Sequence, residues 1–233
     1  SRERLKHDEI NISDITNLQE YFNSERYKSR RAKSFRDVDF CGGCVDREDC
    51  GAPSLRHMIK STYARHGIIP SGKIEHLDIG FSNLCTQQCI MCYSEFSSKW
   101  YKFDKEHENT KFKRNPVKYQ TWTTEENMLK IFEILPDLKF LSIKGGEPLV
   151  QQEVKQLLEY IVSNEIEVKI NIVTNFQEIS DEMIALVVKL KNLELTVSID
   201  STGVMYNWIR GGDWNKTMNN VSRFVKYCEH MKP

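Results

Sequence analysis

The chain has 233 residues, 33 basic and 33 acidic side chains, and a hydrophobic fraction of 39%. Balanced charge gives no bulk electrostatic argument for binding nucleic acid or a membrane surface. No apolar run reaches the roughly 18 residues that a membrane-spanning helix needs, and the opening segment has no secretion-signal pattern. The seven cysteines are clustered, which predicts metal ligands in a reducing, cytoplasmic environment rather than disulfides.

Residues 1–72 are rich in charged and small polar side chains and show helical rather than strand-like patterns. They therefore predict a small N-terminal helical domain. Its predicted helices are Asp14–Phe22, Ser24–Lys33 and Pro53–His66. A turn-like segment containing Pro70 and Gly72 then leads into the second part of the chain.

From residue 73 to residue 233, predicted strands alternate with predicted helices. The strands are Ile74–Gly80, Leu138–Lys144, Val168–Thr174 and Leu193–Ile199, and the helices are Glu95–Lys105, Thr123–Leu135, Gln151–Asn164, Asp181–Lys191 and Asp213–His230. The alternation predicts an α/β fold, with a parallel sheet and helices packed outside it. Such folds place their active sites at the C-terminal ends of the strands.

Three cysteines follow the first predicted strand directly. Cys85, Cys89 and Cys92 have the spacing C-x3-C-x2-C. A four-iron cluster has four corners, which thiolates normally hold, so three close thiolates can hold three corners and leave one iron open. A zinc site is the alternative, and it would need a fourth ligand that is not obvious nearby.

Unusual residues also stand where the other predicted strands end. The second strand runs into Lys144-Gly145-Gly146-Glu147-Pro148, and glycines allow the backbone to approach a ligand closely. The ends of the third and fourth strands carry polar and charged side chains, namely Thr174, Asn175, Ser198 and Asp200, with Arg210 some ten residues further on. An arginine fork suits a carboxylate, because two N–H bonds form in parallel.

The cysteine loop followed by Gly-Gly-Glu-Pro at the next strand end resembles the radical S-adenosylmethionine (SAM) enzymes. The resemblance implies a partial (βα) barrel with a [4Fe-4S] cluster, whose open iron chelates the amino and carboxylate groups of SAM. An electron from the cluster then splits SAM into methionine and a 5′-deoxyadenosyl radical. The resemblance also implies a reductant such as flavodoxin or ferredoxin as a partner. The cluster and SAM would supply the reactive groups, and the protein would bind and orient them.

The same resemblance implies a set of SAM-binding residues. The backbone of Gly145, Gly146 and Glu147 would contact the SAM amino group, and Thr174 and Asn175 would face SAM. Ser198 and Arg210 would bind its carboxylate, with Asp200 beside them. Met91 would take the apolar place of the aromatic residue that the family often has near adenine. No catalytic acid or base is predicted.

Three further cysteines, Cys41, Cys44 and Cys50, have the spacing C-x2-C-x5-C. This resembles part of the auxiliary-cluster motif of radical SAM proteins with twitch or SPASM domains. That motif continues with a cysteine where this chain has Ser54. Three alternatives stay open: an auxiliary iron–sulfur cluster with a ligand from elsewhere, a small structural zinc site, or a vestige.

The resemblance leaves the substrate undetermined. Only four strand–helix units are predicted where the family usually has six, so the chain is expected to be truncated, or a viral-like or degenerate member. A peptide or protein substrate is the preferred hypothesis. The alternatives are a non-catalytic iron–sulfur or zinc protein, and an enzyme of RNA or nucleotide modification, which the basic run Arg26–Arg36 keeps open.

Overall fold

A computed structural model describes residues 10–33, 38–65, 67, 71–107 and 116–230, without the side chains of residues 33, 38–42 and 230. The chain divides into two compact units, Ser1–Glu75 and His76–Pro233. The boundary predicted between residues 72 and 73 lies just before this division. Within the described ranges, no helix is long and apolar enough to cross a membrane.

The first unit is helical. Its helices are α1 Leu18–Phe22, α2 Glu25–Lys33, α3 Val38–Asp49 and α4 Leu55–Arg65. Two expectations were wrong: α3 was not predicted, and the helix predicted from Asp14 begins only at Leu18. The later start follows from Asn17, whose side chain accepts a hydrogen bond from the Glu20 amide at 2.8 Å and so caps α1. The end of the predicted third helix, His66, lies outside the described residues.

Ser54, which stands where the auxiliary-cluster motif has a cysteine, is fully buried and caps the start of α4. Its Oγ accepts from the His57 amide at 3.2 Å and donates to the Glu48 carboxylate at 2.5 Å. Arg56 binds both oxygens of the same carboxylate. Hydrogen bonds from Arg56 and then Ser54 lower the pKa of Glu48 to about 2, so this carboxylate clamps α3 to α4.

The second unit is built on a four-stranded parallel sheet, in the order β1 to β4. The strands are β1 His76–Gly80, β2 Phe140–Lys144, β3 Lys169–Thr174 and β4 Leu193–Val197. The register aligns Gly80 with Lys144, and Thr174 with Val197. Consequently the C-terminal ends of the strands meet at one edge of the sheet. The predicted α/β fold with a parallel, partial-barrel sheet is confirmed.

Six helices of the second unit lie in its described part. They are α5 Tyr101–Glu106, α6 Glu125–Ile134, α7 Gln152–Ser163, α8 Asp181–Val187, α9 Gly203–Arg210 and α10 Trp214–His230. Helix α9 was not predicted, α5 begins later than expected and α8 ends earlier. The cap of α6 is Thr124, which accepts from the Asn127 amide at 3.1 Å, whereas Thr123, the first residue of the predicted helix, donates to Glu153 instead.

One face of the sheet forms the core and the other is polar. Leu141 and Ile143 of β2 and Ile170 and Ile172 of β3 are buried, as are the apolar residues on one face of α7, namely Val154, Leu157, Leu158 and Ile161. Side chains alternate along a strand, so the intervening positions form the opposite face. One register row there is Asp78, Ser142, Asn171 and Glu194. The sheet therefore presents a hydrogen-bonding surface opposite its apolar core.

We expect Glu48→Gln to lower the free energy of unfolding at pH 7, because the variant loses the charged partner of Arg56. The folded-state pKa is depressed, so the stabilisation is present above the unfolded-state value of about 4.5 and is lost as the pH falls towards 2. Urea unfolding at pH 7 and pH 3 measures the difference between variant and parent.

Glu25→Gln is the matched control, because Glu25 pairs with Lys28 in the same unit but has a side chain that is 90% exposed. Exposed pairs contribute little to stability. A deficit of Glu48→Gln that is as large at pH 3 as at pH 7 would contradict the clamp.

Candidate functional site

The cysteine loop leaves β1 and places three thiols close together. Cys85 and Cys89 are buried and Cys92 is half-buried, and all three are free thiols. Burial raises the pKa of Cys85, and it raises that of Cys89 to about 11, opposed by the nearby Arg210 charge. Charge on Cys92 would raise the pKa of each of the other two thiols, so the three sulfurs lie within electrostatic reach of one another.

The protein holds this loop in shape through its backbone carbonyls. Asn83 Nδ2 donates to the Ser94 carbonyl at 2.8 Å. Ser97 Oγ donates to the Gln87 carbonyl at 2.7 Å, and Trp100 Nε1 donates to the Cys89 carbonyl at 3.0 Å. Side chains that satisfy buried carbonyls fix the path of an irregular segment, so the loop conformation is specified by the protein itself.

The Gly-Gly-Glu turn after β2 packs directly against the cysteine loop. The Glu147 amide donates to the Leu84 carbonyl at 2.7 Å. Gly146 has φ +56°, and a Cβ at this position would lie 2.1 Å from the same carbonyl oxygen. A side chain is therefore excluded here twice, by the backbone conformation and by the close approach.

The Glu147 carboxylate is fully buried and joins the end of β2 to the end of β3. It accepts from Thr174 Oγ1 at 2.5 Å, from the Asn175 amide at 2.6 Å and from the Leu149 amide at 3.1 Å. Burial raises its pKa, and these hydrogen bonds act in the opposite direction. The side chains of Glu147 and Thr174 thus bind each other. Their contact with SAM stays a prediction.

Asn175 follows Thr174 and is buried beside the cysteine loop. Its Oδ1 accepts from the Gln177 amide at 2.9 Å and from Thr86 Oγ1 at 3.2 Å. Its Nδ2 lies 3.7 Å from the sulfur of Cys85. The contact of Asn175 with SAM likewise stays a prediction. In the structure, the side-chain amide of Asn175 lies beside the thiol of Cys85.

Arg210 ends α9 and reaches the site from the side of Cys89. Its Nη1 pairs with Asp200 at 3.0 Å, and its Nε donates to Gln87 Oε1 at 3.3 Å. Asp200 and Arg210, two of the residues predicted to lie at the SAM site, thus form an ion pair that the sequence does not indicate. Ser198 lies at the end of β4, where its amide donates to the Thr174 carbonyl at 2.8 Å. Met91 is 56% exposed.

A buried polar network behind the loop was missed by the sequence analysis. Gln87 donates from Nε2 to Tyr206 Oη at 2.8 Å and to Gln177 Oε1 at 3.1 Å. Gln177 also accepts from the Asp213 amide and from Thr217. The one signal in the sequence is Gly211-Gly212, because a Cβ on Gly212 would lie 2.5 Å from Gln87 Nε2.

The donor set of the loop fits a [4Fe-4S] cluster. Three sulfurs from one loop supply soft ligands of the type that iron–sulfur clusters use. They lie at the edge of the sheet where Gly145 and Gly146 pack closely against the backbone that follows β1 and where Arg210 brings a positive charge. Cys85, Cys89 and Cys92 are the residues that would hold the cluster.

The N-terminal cysteines are less defined. Cys41 and Cys44 lie one turn apart on α3 and Cys50 follows its end, but the side chain of Cys41 lies outside the described residues. Cys44 is half-buried and Cys50 exposed. Among the described side chains, no group of three or more His, Cys, Asp or Glu is gathered around a single-ion position. The auxiliary site stays a prediction.

We expect Gly146→Ala to destabilise the second unit by about 3 kcal/mol or more, since left-handed strain and a backbone clash act together. Gly203→Ala is the matched control, because Gly203 has φ +55° but nothing within 4 Å of an added Cβ. Gly203→Ala should lower the free energy of unfolding by only about 1–2 kcal/mol. Urea unfolding of both variants measures the difference, and equal losses would contradict the close contact with Leu84.

Comparison with known proteins gives a family match over most of the second unit. Residues 79–231 match the radical SAM superfamily. No curated protein matches the chain.

Similar solved structures include SuiB of Streptococcus suis. SuiB bound to S-adenosylmethionine has a TM-score of 0.42 and 18% identity, over 74% of this chain and 34% of that chain. SuiB bound to the precursor peptide SuiA has a TM-score of 0.49 and 18% identity, over 75% and 37%. A third SuiB structure gives 0.41 and 16%, over 88% and 45%. The chain thus covers less than half the length of these proteins. On the family match, the chain belongs to the radical SAM superfamily.

Proposed function

We propose that the second unit is the SAM-cleaving core of a radical SAM enzyme. The observation that carries the proposal is the single edge of the sheet at which the three thiols, the Gly145-Gly146 turn and Arg210 come together. A structural metal site has no need of an anchored arginine beside its sulfurs. When bound, the cluster passes an electron to SAM and breaks its S–C5′ bond, which yields methionine and a 5′-deoxyadenosyl radical.

The chain's own residues orient the cofactor in this proposal. Cys85, Cys89 and Cys92 would hold three irons, and the backbone of Gly145 and Gly146 would bind the SAM amino group. Arg210 is fixed by Asp200 and Gln87. Five N–H donors allow a guanidinium to hold these partners and also a carboxylate. Arg210 would therefore orient the SAM carboxylate, with Ser198 at the neighbouring strand end.

The electron must come from a partner, and a small reductant such as flavodoxin or ferredoxin is proposed. For the substrate we favour a peptide or protein. The polar face of the sheet supports a polar substrate, because Asp78, Ser142, Asn171 and Glu194 form a row of hydrogen-bonding side chains there. We also propose that the protein is of the twitch or SPASM type, with Cys41, Cys44 and Cys50 as ligands of an auxiliary cluster. This part of the proposal rests only on the sequence resemblance.

The test is formation of 5′-deoxyadenosine by protein that has been reconstituted anaerobically with iron and sulfide and then given dithionite and SAM. We expect Cys89→Ala to reduce the rate on the order of a hundredfold or more, because removing a ligand is at least as damaging as removing its support. Cys228→Ala is the matched control, since Cys228 is a half-buried thiol on α10. Equal rates in parent and Cys89→Ala would refute the proposal.

A further inference from the structure

We propose that Asn175 is a hydrogen-bond donor to the sulfur of Cys85, and that it raises the reduction potential of the cluster that Cys85 helps to hold. The inference rests on the proposed function and adds to it a residue that tunes the cluster from outside its ligand set. Asn175 comes from the end of β3, so the donor is delivered by a different strand from the one that leads into the cysteine loop.

The orientation of the Asn175 amide is fixed by its partners. The backbone amide of Gln177 can only donate, and it lies 2.9 Å from Oδ1. Thr86 Oγ1, 3.2 Å from the same oxygen, donates to it as well. With the oxygen on that side, Nδ2 must face Cys85, whose sulfur is 3.7 Å away. Because sulfur is a large atom, this distance suits an N–H···S hydrogen bond.

The position of Asn175 is fixed as tightly as its orientation. Its backbone amide donates to Glu147 Oε2 at 2.6 Å, and the other oxygen of that carboxylate holds Thr174. Asn175 itself is 5% exposed. A donor held by its own buried partners cannot turn away when the charge on the sulfur changes. The structure therefore provides a preorganised N–H group at one cluster ligand.

Cys89 has the opposite kind of neighbour. Gln87 presents its carbonyl oxygen to the Cys89 sulfur at 3.7 Å. That orientation is also fixed, because the same oxygen accepts from Arg210 Nε while Nε2 donates to Tyr206 Oη. Of the two buried thiols, Cys85 thus receives a side-chain amide donor, whereas Cys89 faces an amide acceptor. The sulfurs of the loop are electrostatically unequal.

Other donors to Cys85 come from its own loop. The backbone amide of Gln87 is one of them, and the hydroxyl of Ser97 also lies within hydrogen-bond reach of the sulfur. Ser97 has a single hydroxyl proton, and its Oγ lies 2.7 Å from the Gln87 carbonyl, to which it donates. Asn175 is therefore a side-chain donor to Cys85 that can be removed without altering the sequence of the loop.

The effect on the cluster follows from where the added electron's charge lies. Reduction increases the negative charge on the cluster and its sulfur ligands, so a hydrogen bond to a ligand sulfur stabilises the reduced state more than the oxidised state. Loss of the donor should therefore lower the midpoint potential.

The decisive variant is Asn175→Ser. A serine can still accept from the Gln177 amide in the same type of turn, but it is too short to reach Cys85. The reconstituted chain is titrated potentiometrically without SAM, and the reduced cluster is followed by electron paramagnetic resonance. We expect the ratio of reduced to oxidised cluster at a fixed potential to fall roughly three- to tenfold, where tenfold corresponds to about 59 mV for one electron.

Thr86→Val is the matched control, because it removes one of the two hydrogen bonds to Asn175 Oδ1, while the Gln177 amide still holds that oxygen and leaves Nδ2 facing Cys85. In Thr86→Val, the ratio of reduced to oxidised cluster at the same potential should stay within about twofold of the parent's. Asn175→Ala serves if the serine variant does not load. A fully loaded Asn175 variant with the parental midpoint would overturn the inference, as would an equal shift in Thr86→Val. Failure of the proposed function looks different, because the parent itself would then bind no cluster.

Discussion

The site depends on the contact between the turn after β2 and the cysteine loop. Gly146 allows the Glu147 amide to reach the Leu84 carbonyl at 2.7 Å, one residue before Cys85. The Glu147 side chain then extends the connection to Thr174 and Asn175. One motif thereby joins three strand ends. The glycines and the glutamate have separate tasks: the glycines permit close approach, and the glutamate holds the approaching parts together.

The second constraint is that the buried polar side chains behind the loop need hydrogen-bond partners. Gln87, Gln177, Tyr206 and Thr217 are all buried, and each has a hydrogen-bond partner within the group. Unpaired amides at such depth would be costly, whereas a satisfied network fixes a single arrangement. The network connects the cysteine loop with β3, α9 and α10. It also orients Gln87, which in turn contacts Arg210 and fixes the charge that stands beside Cys89.

The sequence predicted the strands, the cysteine loop and the Gly-Gly-Glu turn because their signals are local. Apolar periodicity marks a strand or the face of α7, and short spacings mark the loop. It missed α9, a helix of only eight residues whose apolar Val204 and Trp208 are exposed rather than packed in the core. It also missed the bond between Gln87 and Gln177, because these residues are 90 positions apart in the chain. Contacts of that separation are set by the fold, and a single sequence carries no pattern for them.

The central claim is that three thiols hold a cluster with one iron open to SAM. The most direct measurement is the electron paramagnetic resonance spectrum of the dithionite-reduced, reconstituted protein, recorded with and without SAM. An open iron that takes a new ligand must change its electronic environment, so the account predicts a clear change in g values on adding SAM. An identical spectrum, or a protein that binds zinc and no iron at this loop, would contradict it.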